Sequence, residues 1–141
     1  MISSSIAATP SKTKPADAQR ELTAPALRTV FNILLAWDVK VKDWGRLLGV
    51  SQPTVQRWKA NPQLAERANS RDLLERLSYL LGIYKALQIL LPEPQLADSW
   101  VNRPNAAPPF SGATPMQRLL AGNVADLYEV RRWLDGQRGT P

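Results

Sequence analysis

Apolar side chains recur every three or four positions along most of this chain, and no stretch shows the strict alternation of a half-buried strand. In APALRTVFNILLAWD the residues Leu27, Val30, Phe31, Leu34, Leu35 and Trp37 predict a first core helix. Leu73, Leu74, Leu77, Leu80, Leu81, Tyr84, Leu87, Leu90 and Leu91 keep the same spacing from Ser70 to Pro92, which predicts a long spine helix. Arg71, Asp72, Glu75, Arg76 and Lys85 fall on its opposite, solvated face, and Gly82 marks a close helix crossing. Beyond Pro92 the pattern breaks into a short helix around QLADSWV, an irregular stretch NRPNAAPPFSGA, and two helices, PMQRLLA and VADLYEVRRWLD. Thr114 before Pro115 reads as an N-cap with an N1 proline, Gly122 as a helix end, and Asn123 as the next N-cap. The expected fold class is all-α.

Between the two long helices lies VKDWGRLLGVSQPTVQRWKA, residues 41–60. Asp43 is placed to cap the segment WGRLLG, and Gly49 follows its last apolar pair as a helix-ending glycine does. Ser51 is a good N-cap and Pro53 falls in the first turn, so a second helix is expected from Gln52 to Ala60, stopped by Asn61-Pro62. A small residue at 45, a glycine at 49 and a β-branched residue at 55 are what two tightly apposed helices joined by a short turn require. Val55 and Trp58 would be buried, with Leu48 and Val50 completing the wedge. A plain αα-hairpin needs the same core, so spacing alone does not separate it from a DNA-binding helix-turn-helix.

The exposed face separates them. With Val55 and Trp58 inside, Gln52, Thr54, Gln56, Arg57 and Lys59 point outward from a helix opened by Ser51, and no acid stands among them. Gln bridges adenine N6 and N7, Arg forks onto guanine O6 and N7, and Thr and Lys suit phosphates. Charge agrees: the net charge is +6, and residues 1–67 carry ten basic against five acidic side chains while the rest carries eight against seven. Basic excess gathered in one half points to a polyanionic partner, for which DNA or RNA is the usual candidate.

Composition removes most other functions. The chain has no Cys and no His, so thiolate chemistry, disulfides and the commonest general base and metal ligand are all missing, and its carboxylates are scattered. No enzyme activity, catalytic residue, metal or cofactor is expected. Residues 1–24 are rich in Ser, Thr, Lys and Pro and read as a disordered tail. Without a signal-peptide core or an apolar run near the ~20 residues that span a bilayer, the expected location is cytoplasmic, with no membrane partner.

Trp100, RPN at 103–105, PFSG at 109–112, TP at 114–115, LLAG at 119–122 and VRRWLDG at 130–136 form an ordered series. It resembles the toxin-binding domain of Xre/MbcA/ParS-type antitoxins over about residues 93–136, and residues 25–91 are similar to the Xre-like helix-turn-helix domain that precedes it in that family. The implied organisation is a tail (1–24), an Xre-like helix-turn-helix and dimerisation region (25–91) and a toxin-binding domain (92–141), with a long helix joining the last two. The resemblance implies a type II toxin–antitoxin system in which the chain blocks a RES-type toxin, one that consumes NAD or ADP-ribosylates its targets, and represses its own operon. It further implies a homodimer within a larger toxin–antitoxin complex. Arg131, Arg132, Trp133, Asp135 and Arg138 are the candidate toxin contacts, because Arg and Trp serve well as interface anchors. Trp100, Phe110, Leu119, Leu127 and Leu134 are expected in the core. A stand-alone helix-turn-helix regulator whose C-terminal module serves only dimerisation is the alternative.

Overall fold

The computed structural model describes residues 15–68 and 70–139, with side chains from residue 21 onward, and every regular element among them is helical. The first helix, α1, spans Pro15–Ala36, so ten residues assigned from sequence to the tail are helical; residues 1–14 lie outside the described range. Thr23 and Ala24, 4% and 1% exposed, already belong to the packed interior. The Ser, Thr, Lys and Pro content of this stretch gives no sign of a helix, and Pro25 sits inside α1. Proline deletes one amide donor, a loss water makes good where Glu21 and Pro25 are both exposed. Leu35, expected in the core, is 61% exposed, and Ile33 takes the inward position instead.

Helix α2 (Val41–Leu48) begins two residues before Asp43, so Asp43 lies in its first turn rather than at the cap, which is Lys40. Gly49 closes it at φ 72°, and the carbonyl of Gly45 accepts from the amides of both Gly49 (2.7 Å) and Val50 (3.0 Å). Helix α3 (Gln52–Ala60) opens on Ser51, whose hydroxyl accepts from the Thr54 amide, and ends at Asn61. A 3-10 segment, Pro62–Ala68, which the apolar pattern did not announce, packs on α1 and α3.

Helix α4 (Arg71–Leu90) is the spine, capped by Ser70. It packs against α1, α2, the short helix α5 (Pro94–Ser99) and, most extensively, the last helix α7 (Val124–Gln137). A 3-10 turn (Trp100–Asn102) and helix α6 (Pro115–Leu119) complete the C-terminal half. Thr114 and Gln117 form the reciprocal capping box at α6, whereas Asn123 holds the N-cap position of α7 without a side-chain bond.

One contiguous apolar core runs through both halves, from Leu27, Val30 and Leu34 through Leu47, Leu77 and Leu80 to Leu127, Val130 and Leu134. Leu73, Leu77, Leu80 and Leu87 are at most 2% exposed within a single chain. These four are covered by the chain's own helices, whereas Leu74, Leu81, Tyr84, Leu90 and Leu91 of the same stripe are only partly buried.

Candidate functional site

The two helices α2 and α3 meet where Gly45 has no side chain: a Cβ built there collides with the Val50 carbonyl and touches Val55 Cγ2 at 3.7 Å. Val55 and Trp58 are buried, at 0% and 6%, which fixes the rotation of α3 and turns its other side outward. Trp44, stacked on Phe31 at 5.0 Å and donating Nε1–H to the Val39 carbonyl at 2.8 Å, supports α3 from below. Ser51, Gln52, Gln56, Arg57 and Lys59 are all exposed, and Thr54 is half-buried.

Three of these side chains form a line along one flank. Ser51 and Thr54 share a hydroxyl–hydroxyl bond of 2.9 Å, and Arg57 Nη2 donates to Thr54 Oγ1 at 2.9 Å. Thr54 therefore steadies Arg57 through its hydroxyl. On the other flank Lys59 Nζ lies 5.5 Å from the centre of the Trp44 ring, a cation–π contact that holds the ammonium near the α2 side. Gln52 and Gln56 carry the unengaged amides, so α3 presents donors and acceptors on a helix anchored at its back. Donors and acceptors of this kind match those that base edges and phosphates present in a major groove.

Two further cations, Lys42 and Arg46 of α2, line an open cleft with Ser51, Gln52 and Gly122. Sequence spacing did not single them out, because Gly122 reaches the cleft only through the tertiary fold. Arg76 does not lie on the solvated face of the spine that its position in the sequence predicts. It is 8% exposed, and its Nε donates to Asp72 (2.8 Å), Nη1 to the carbonyls of Arg46 (3.2 Å) and Leu47 (3.4 Å), and Nη2 to the carbonyl of Gly122 (3.0 Å). The last carbonyls of α2 have no partners within their own helix, and a buried guanidinium supplies them.

At the other end, the five C-terminal candidates divide into two groups. Arg131 lies across Gly82 of α4 and pairs with Asp135 at 3.3 Å, and Arg138 reaches the same carboxylate at 3.7 Å. The close crossing expected at Gly82 is thus filled by a guanidinium rather than by a helix backbone. Arg132 and Trp133 instead line a groove of about 620 Å³ with Pro108, Pro109 and Tyr128. Trp133 is half-buried, stacked on Trp100 at 5.7 Å and edge-on to Phe110 at 5.5 Å, so one of its faces is core and the rest is groove wall. Tyr128, 44% exposed, is the groove residue that sequence reasoning passed over. Helix period alone assigned it no face. Arg118 of α6 ties the groove's helix in place through Asp126 (3.2 Å) and Glu129 (2.6 Å). Among the described residues no group of three or more acidic, His or Cys side chains converges as a metal ion requires, and no helix is long and apolar enough to cross a membrane.

The fold and these surfaces define a helix-turn-helix protein carrying a helical C-terminal interaction module. Residues 17–82 match the antitoxin Xre-like helix-turn-helix domain, and residues 86–139 match the antitoxin Xre/MbcA/ParS C-terminal toxin-binding domain. The chain belongs to the Xre-type antitoxins: it joins a helix-turn-helix domain to a toxin-binding domain, and neither matched family is an enzymatic one. It is 40% identical over 114 residues to the uncharacterized protein y4oB of Sinorhizobium fredii, an alignment covering 80% of this chain and 84% of the relative. No solved structure matches it significantly.

Proposed function

We propose that the chain neutralises a RES-type toxin by docking it along α7 and represses its own operon by laying α3 in the operator's major groove. The observation that carries this is the placement of two unlike surfaces on one core: an acid-free polar helix at one end and an open aromatic groove at the other. Arg132, Trp133 and Tyr128 are the groove anchors, since Trp, Tyr and Arg concentrate binding energy at protein interfaces. Arg131, Asp135 and Arg138 form the ion-paired edge of the same helix and border the docked toxin. Ser51, Gln52, Thr54, Gln56, Arg57 and Lys59 meet the DNA. A homodimer, pairing two α3 helices about one turn of DNA apart, is the assembly that a pseudo-palindromic operator asks for.

The test is a split assay in cells carrying the neighbouring toxin gene and a promoter reporter. Replacing Gln52, Gln56 and Arg57 by Ala alters only exposed side chains and should abolish repression while growth protection persists. Replacing Tyr128 and Arg132 by Ala should abolish protection while the folded protein still represses. Protection by the folded Tyr128/Arg132 variant at wild-type level sinks the docking assignment, and a neighbouring toxin of another chemical class sinks the RES assignment.

A further inference from the structure

Lys42 and Arg46 stand one helical turn apart on α2, and neither makes an ion pair with any described residue. Both face an open cleft of about 450 Å³ whose lining also includes Ser51 and Gln52, the first residues of the recognition helix, and no carboxylate. The far wall is Gly122, which belongs to the turn between α6 and α7 and so to the toxin-binding half. A single buried guanidinium fixes both walls: Arg76 holds the carbonyls of Arg46 and Leu47 with one amino group and that of Gly122, at 3.0 Å, with the other. Asp72, whose carboxylate comes close to Gly49 of the cleft lining, is already engaged by Arg76 Nε.

We propose that this cleft seats a backbone phosphate of the operator, which makes the α6–α7 turn of the toxin-binding half part of the DNA interface. The inference rests on the reading of α3 as the recognition helix and extends it. When the first turn of a recognition helix enters the major groove, the strand bordering that groove passes beside the helix start, where Ser51 and Gln52 lie. Two unpaired cations and an amide donor there neutralise and bind a phosphodiester, and their release of counterions adds to the salt dependence. Gly122 offers no side chain to hold the strand away.

Asn123 tests the geometry, because it is exposed, follows Gly122 directly, and makes no side-chain cap bond that a substitution would break. Fluorescence anisotropy of the full chain on a duplex from upstream of its own gene is measured for wild type, Asn123→Lys, Asn123→Asp and Arg57→Ala. Asn123→Lys should tighten binding roughly three- to tenfold at low salt and steepen the log–log salt slope by about one. Asn123→Asp, an equally good helix cap, should weaken binding by a similar factor. Lys42→Ala with Arg46→Ala should flatten the slope by about two. If both Asn123 variants bind as wild type does while Arg57→Ala weakens binding, the turn lies outside the interface and the proposal falls, with α3 still the reader. A wild-type chain that binds no duplex overturns both.

Discussion

Arg76 donates to four acceptors drawn from its own helix, from the end of α2 and from the turn before α7. Three of the four are backbone carbonyls at the join between the two halves, so removing the guanidinium leaves partly buried acceptors without a donor. Each such loss costs on the order of 1–3 kcal/mol, and charge-assisted bonds fall at the upper end. Arg76→Met, which keeps the stem, should lower the urea-unfolding free energy by about 2–4 kcal/mol with an unchanged m-value; a loss below about 1 kcal/mol would show the bonds to be incidental. Gly82→Ala runs the other way. The added methyl displaces only the tip of Arg131, a flexible side chain, and loosens a pair with Asp135 in which both partners are about one-third exposed. Such pairs are worth about 0.3–0.5 kcal/mol, whereas Ala in place of a helical Gly gains up to about 1 kcal/mol. Thermal melts should therefore place Gly82→Ala at or slightly above wild type, and a drop of several degrees would show that Arg131 is held more firmly than its contacts indicate. Arg76 reads as solvated from sequence because its neighbours at 71, 72 and 75 are polar and exposed. Its burial comes from the end of α2, 30 residues back, and from Gly122, 46 residues on.

At the scale of elements, what the sequence announces is what local chemistry determines. Ser51 and Thr114 cap the helices they were expected to cap, Ser70 caps the spine in the same way, and Gly49 takes the left-handed conformation that a helix end demands. Each depends on residues three or four positions away, and a sequence displays those directly. The outward face of α3 was legible for the same reason, since Val55 and Trp58 set its rotation. The cleft beside it was not, because its walls come from α2 and from a turn more than 70 residues further on. Two elements misled. The 3-10 segment Pro62–Ala68 forms because α1 and α3 cover it, and α1 runs through Pro25 because packing of Ala24 and Leu27 on one side outweighs one missing amide on the other. A chain shortened to begin at Pro25 would lose nothing if the preceding residues were unstructured. With Thr23 and Ala24 buried and Pro15–Ala24 helical, it should instead lose at least about 1 kcal/mol of stability, read by chemical denaturation. An unchanged midpoint would return those residues to the tail.

At the scale of the molecule, the two matched domains do not have two cores. Helix α4 straddles the two matched segments, with residues 71–82 in the first and 86–90 in the second, and its most extensive contact is with α7. Leu127, Val130 and Leu134 of α7 are buried in a cluster that reaches back to Leu27 in α1. Residues 92–141 taken alone would keep only short helices around the Trp100, Phe110 and Trp133 cluster and would expose the inner face of α7. A segment of that size seldom buries enough surface to fold unaided. The fragment 92–141 should therefore give a coil-like far-UV spectrum and bind toxin only when α4 is supplied. In the full chain, Trp37, Trp44 and Trp58 report on the first half and Trp100 and Trp133 on the second, so replacing either set by Phe leaves a fluorescence probe confined to the other half. With one shared core, the two probes and the far-UV signal should follow a single urea transition with one midpoint. Both sets are packed, so comparison is made between probes within each variant, where any destabilisation from Trp→Phe is common to all signals. Separate midpoints for the two halves, or a fragment 92–141 that folds on its own, would divide the molecule into independent domains. DNA reading and toxin capture would then be joined by a tether and no longer by a common core.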